Sequence, residues 1–208
     1  FGFVQQIGNI KCEKININYI EKNSLRIADK GKFDEMANLI DSVRKSGDSI
    51  GGVIEVRSTG MPAGLGSPVF EKLDARLSSA IMGIGGVRGF EIGLGFQVAS
   101  MKGSEVNDIM VGKSKGKVKF RTNNAGGILG GISNGNDLIL RFALKPTSSI
   151  SQKQDSIDNK GKQKKLQVKG RHDPCLCPRA VPIAEAMVNL VLLDCILENN
   201  LSTVKKIT

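Results

Sequence analysis

The chain has 208 residues, 40% hydrophobic and 24% charged, and its 30 Lys and Arg against 20 Asp and Glu give a formal net charge of +10. That is enough apolar material to bury a core in one domain, or at most two, and it excludes a disordered tail. Aromatic residues amount to only 4%, with one Tyr and no Trp, so the stacking surface that non-specific strand binding sets beside its cations is lacking, and no nucleic-acid partner is expected. "FGFVQQIGNI" at the start alternates apolar and polar residues like the interior of a strand, and Phe1 stands where a methionine would begin a gene product. The chain is therefore expected to be a piece of something longer, and no secretory signal pattern is visible in it.

"KFDEMANLIDSVRKSGDS" sets Phe33, Met36, Ala37, Ile40 and Val43 on one helical face, and Gly47 follows as a stop signal. Residues 51–59, "GGVIEVRST", then switch to period two and read as a strand. Ser67 before Pro68 is the favoured order of N-cap and first helical residue, which predicts a helix carrying Phe70, Leu73, Leu77, Ala80 and Ile81. Residues 85–101 return to strand character with glycines that mark close approaches or bulges.

Lys117 to Arg121 and Leu138 to Leu144 alternate as two further strands, with the glycine-rich "NNAGGILGGISNG" between them. The polar stretch 151–165 reads as a mobile loop or hairpin tip. Ile183 to Leu197 is apolar on nearly every face, which predicts a helix deeply buried or covered by another subunit. It is too short and too polar, with Glu185 and Asp194, to span a bilayer. A soluble protein without a membrane partner is expected.

The basic excess gathers in "KSKGKVKFR" (113–121) and "KGKQKKLQVKGR" (160–171), as two solvated arms or as a positive funnel toward an anionic ligand. Cys12, Cys175, Cys177 and Cys195 are too few and too irregularly spaced for a disulfide framework, so a reducing cytoplasm is the expected compartment. His172, Cys175 and Cys177 lack a fourth ligand nearby, and no metal site is read.

Three stretches could carry chemistry. The bare backbone of Gly126, Gly127, Gly130 and Gly131 can approach a phosphate or a planar ring, or it can serve sheet packing alone. "KPTSS", Lys145 to Ser149, offers an ammonium and three hydroxyls at a strand exit, suited to a phosphate or a ribityl chain, or forming an ordinary turn. In "GRHDPC" an extended backbone puts Arg171 and Asp173 on one side and His172 on the other, as an anion fork beside a proton acceptor or as a surface ion pair.

In this order, "GMPAGLGSPVFEKLDARLSSAIM", "GFEIGLGF", "GSEVND", "NNAGGILGGISNG", "LKPTSSI" and "GRHDPCLCPRAVPIAEAM" resemble the chorismate synthase family over almost the whole chain. The resemblance implies an α+β fold, a β-α-β sandwich whose helices are enclosed by antiparallel sheets. Residues 1–208 would be the C-terminal part of one such domain, present without its N-terminal region. It implies a carbon–oxygen lyase of the shikimate pathway that converts 5-enolpyruvylshikimate 3-phosphate to chorismate and phosphate. Reduced FMN is the implied cofactor, reduced at an NADPH site of the protein or by a separate reductase, and the implied assembly is a homotetramer.

Carried across by motif, Gly85, Gly86 and Gly130 are implied flavin contacts, although many relatives have larger residues at the first two positions. Lys145, Pro146, Thr147, Ser148 and Ser149 resemble the loop that grips the flavin, Arg171 a flavin or substrate anchor, and Asp173 the aspartate that assists proton movement. The family's two catalytic histidines belong to the missing region, and His172 is neither of them. A truncated, non-catalytic module that keeps FMN-binding or subunit-interaction surfaces is the alternative.

Overall fold

A computed structural model of the chain describes residues 1–114 and 117–202. Lys115 and Gly116, inside the first basic run, and residues 203–208 lie outside the described residues. In chain order the elements are β1 (Gly2–Ile7), β2 (Ile10–Lys11), α1 (Ile17–Ile20), α2 (Phe33–Lys45), β3 (Gly52–Ser58), α3 (Leu73–Met82), β4 (Val87–Ile92) and α4 (Gly103–Val106). There follow β5 (Met110–Ser114), β6 (Lys117–Phe120), β7 (Ile128–Leu129), β8 (Ile132–Ser133), β9 (Leu138–Leu144), β10 (Gln154–Ile157), β11 (Gln163–Leu166) and α5 (Cys177–Ser202). A five-stranded sheet takes the order β2-β1-β3-β9-β4, and three further two-stranded sheets are the antiparallel pairs β5-β6, β7-β8 and β10-β11. The mixture of helices with antiparallel strands is an α+β fold, as the resemblance implied.

The chain divides into two compact units, one of Phe1–Gly2, Glu55–Phe142 and Pro182–Thr208, the other of Phe3–Ile54 and Ala143–Val181. In the first, alternation does what period two requires: along β9, Leu138, Leu140 and Phe142 are buried while Ile139 and Arg141 are only half-buried. Leu73, Leu77 and Ile81 of α3 are fully buried at three- and four-residue steps. In the second unit, β1 contributes Phe3, Val4 and Ile7 to the core, and α2 contributes Met36.

The structure departs from the sequence expectation in three places. Residues 67–71 do not begin a helix, because Ser67 and Glu71 exchange two backbone hydrogen bonds as an antiparallel bridge; α3 starts at Leu73, and Phe70 is exposed. Strand character after Gly85 is confined to Val87–Ile92, and Gly95–Ser100 winds into a 3-10 turn.

The apolar run is longer and less buried than expected. α5 covers 26 residues and by length and composition could cross a membrane. Ala184, Val188, Leu192 and Cys195 form a buried stripe, while Ile183, Leu190, Leu193, Leu197 and Leu201 are exposed. Its apolar residues thus face both inward and outward, a distinction that composition alone does not carry.

Candidate functional site

In the second unit, β9 ends at Leu144 and Pro146 follows, a residue with no amide hydrogen to extend a ladder. Lys145 Nζ turns back onto Ser148 Oγ at 2.6 Å. The Ser49 hydroxyl donates to the Thr147 carbonyl at 2.7 Å, and the Thr147 hydroxyl donates to the Asp173 carbonyl at 3.2 Å. Ile50 N–H donates to the Pro174 carbonyl at 2.7 Å. Through these bonds two motifs distant in sequence, Lys145–Ser149 and Arg171–Asp173, become neighbours. Lys145, Pro146, Ser148 and Ser149 are exposed and Thr147 is half-buried.

Beside them lies a cleft of about 520 Å³ whose lining includes Ala37, Ile40, Asp41 and Arg44 of α2 together with Arg171, His172 and Asp173. His172 thus shares the cleft with its two neighbours instead of pointing away, because residues 170–174 follow an irregular path without the pleat of a strand. Of the two readings left open for Arg171 and Asp173, the surface ion pair is not formed among the described residues: Asp173 pairs with Arg179 from the first turn of α5. Arg171 forms no ion pair among the described residues, so its guanidinium fork is available to an outside anion. Arg44 and Lys45 both engage Asp41, and these hydrogen bonds hold the Asp41 carboxyl below its ordinary range.

Cys175 and Cys177 close the segment, both buried and free. A hydrogen bond between the two thiols, together with burial, pushes the Cys177 thiol well up, and the same bond lowers that of Cys175. His172 Nε2 lies 3.2 Å from the Val168 carbonyl oxygen.

Gly85, Gly86 and Gly130 belong to the first unit. Gly126 and Gly127 are buried against Gly93 and Asp137, which is the packing role left open by the sequence. Gly130 differs. It caps the β7-β8 hairpin at φ +60°, is exposed, and a Cβ there would meet nothing within 4 Å. Its bareness is thus unexplained by packing and leaves a free backbone surface.

The stem below it is fixed by Ser133, whose buried hydroxyl accepts from Leu65 N–H at 2.9 Å and donates to the Pro62 carbonyl at 2.7 Å. Arg141 anchors the same unit, donating to Glu91 at 2.7 Å, to Glu55, which is 2% exposed, and to the Gly93 carbonyl.

Sequence reasoning missed Arg44, Ser49, Arg179 and Asp108. Arg44 and Ser49 lie on α2 and just past it, and the helical periodicity that found α2 weighed apolar positions only. Asp108 sat inside the quoted "GSEVND", where its chemistry had no visible partner.

The family profile described as "Chorismate synthase" matches residues 1–197. A chorismate synthase of Archaeoglobus fulgidus is 50% identical over 205 residues, covering 96% of this chain and 57% of that protein. That of Methanothermobacter thermautotrophicus is 48% identical over 198 residues, covering 93% of this chain and 53% of the other. A solved structure described as "Crystal Structure of Chorismate Synthase" superposes with a TM-score of 0.78 at 30% identity, over 95% of this chain and 56% of that one. The chain spans about half the length of the relatives it matches.

Proposed function

Because the chain belongs to the chorismate synthase family, we propose that it supplies the cofactor-gripping part of an enzyme that eliminates phosphate from 5-enolpyruvylshikimate 3-phosphate to give chorismate. This is a 1,4-elimination by a carbon–oxygen lyase: an allylic C–O bond breaks, phosphate leaves, and a ring hydrogen departs as a new double bond forms. The proposal places it in the shikimate pathway to aromatic amino acids, in the cytoplasm, as a homotetramer. The observation that carries the reading is the hydrogen bond from Thr147 to the Asp173 carbonyl, which joins the two motifs beside an Arg171 that forms no ion pair among the described residues.

The residues present suit reduced FMN. In the second unit Lys145, Thr147, Ser148 and Ser149 offer an ammonium and hydroxyls suited to a ribityl phosphate and Arg171 a bidentate fork for an anion; in the first, Gly85, Gly86 and Gly130 offer bare backbone suited to a planar ring. The chemistry that bound reduced FMN supplies is transient electron density for the departing allylic phosphate, without net redox change. Arg171 holds the anionic ligand and Lys145 adds positive potential at the same loop. Asp173 is the group that takes up or holds a proton, oriented by Arg179.

Asp173→Asn in the complete enzyme keeps shape but removes the proton acceptor. Single-turnover rates should fall by about a hundredfold while flavin affinity stays near that of the parent. Unchanged rates would refute the role.

A further inference from the structure

We propose that Asp108 is the positioning residue of the flavin-facing glycine turn, an inference that rests on the reading of Gly130 given above. Asp108 is not itself offered to a ligand. One carboxylate oxygen accepts the Thr122 hydroxyl at 2.6 Å and Asn124 N–H at 2.7 Å, and the other accepts Ala125 N–H at 2.9 Å. Burial raises the pKa of this carboxyl, but the Thr122 hydroxyl and the Ala125 and Asn124 amides outweigh it and hold the group below its ordinary value. The clasp therefore works as a carboxylate.

From the clasp a continuous path leads to the tip of the turn. Ala125 O accepts from Ile128 N–H at 3.4 Å; Ile128 pairs with Ser133 and Leu129 with Ile132, and Gly130 and Gly131 close the hairpin. The Asn124 side chain returns the hold, donating to the Val106 carbonyl at 3.0 Å just before Asp108. The Asn124 carbonyl accepts Leu94 N–H at 2.8 Å. Asp108 thus fixes residues 122–125, the entry side from which the hairpin rises. An acceptor pair is required, because three donors converge on one side chain and an amide would present its own N–H to one of them. The glycine tip has no side chain of its own to hold it against a ligand, so its geometry has to come from below.

The test uses this chain with Asp108→Asn, Thr122→Val and Thr122→Ser, and with Asp29→Asn in the other unit as control. Amide exchange read without ligand should quicken about tenfold at Asn124, Ala125 and Ile128 in D108N and less in T122V, with T122S near the parent and β4 amides unmoved. The dissociation constant for reduced FMN should rise about tenfold in D108N and hold in D29N at equal thermal stability. Exchange at 124–128 unchanged in both D108N and T122V overturns the clasp. Quickened exchange with undiminished FMN binding overturns the positioning role, whereas a parent chain that takes up no reduced FMN overturns the flavin reading and leaves the exchange result to stand or fall by itself.

Discussion

The glycine-rich turn at 122–133 and the loop at 145–149 are held by opposite means. The turn is clasped by a carboxylate with three donors, pinned by a buried Ser133, and packed so closely at Gly93 that a Cβ there would lie 2.0 Å from the Asn124 carbonyl oxygen. The loop rests on side-chain-to-carbonyl bonds, Ser49 to Thr147, Thr147 to Asp173 and Gln154 to Ser148, and leaves Lys145, Ser148 and Ser149 exposed. A rigid surface suits a planar ring, which gains from preorganisation. Exposed cationic and hydroxyl groups suit a phosphate, which they can follow as it is bound. Substitutions in the turn should therefore cost folding stability, and substitutions in the loop should cost ligand affinity alone.

The sharpest way to break that contrast is Gly93→Ala. The position has φ +59° and no room for a methyl group, so denaturant unfolding should show a loss on the order of 4 kcal/mol, or no folded protein at all. Arg141→Ala comes next. It removes a partner of the buried Glu55 and of the Gly93 carbonyl, and chemical denaturation should register about 3 kcal/mol.

Arg171→Ala should leave the melting temperature almost unmoved and weaken anion binding by about 1.5 to 3 kcal/mol, measured by calorimetry. Ser149→Ala, at an exposed position of the loop, should change stability by no more than about 0.5 kcal/mol. A stability loss at Arg171 equal to that at Arg141 would erase the distinction between the two regions.

The smallest effect concerns pH. The folded carboxyl of Asp108 lies below its ordinary value, so the clasp stabilises fully above about pH 4, the unfolded value, and the contribution fades as pH falls through the folded value. The stability gap between the parent and Asp108→Asn should accordingly narrow on acidification from about pH 4 downward. A gap that widened there would mean that the carboxylate is not the holding form.

Elements whose pattern follows from one periodicity were legible: the period-two β9 with its alternating burial, and α2 with Met36 inward. The motifs named the family, and the fold agrees. What the sequence did not carry were choices made by distant backbone. Ser67 and Pro68 look like a helix start, but the bridge to Glu71 takes those amides. Arg171 and Asp173 could have formed a pair, but Asp173 pairs with Arg179 in the first turn of α5. The apolar residues of α5 look uniformly buried, yet one side of the helix carries exposed Leu190, Leu193 and Leu197. Asp108 needed three donors that only the folded turn assembles.

The most direct measurement is an anaerobic titration of this chain with reduced FMN, followed by calorimetry and repeated with Arg171→Ala and Lys145→Ala. Saturable one-site binding that both substitutions weaken by about tenfold or more is the predicted result. Binding that neither substitution touches, or no binding by the folded chain, would contradict it.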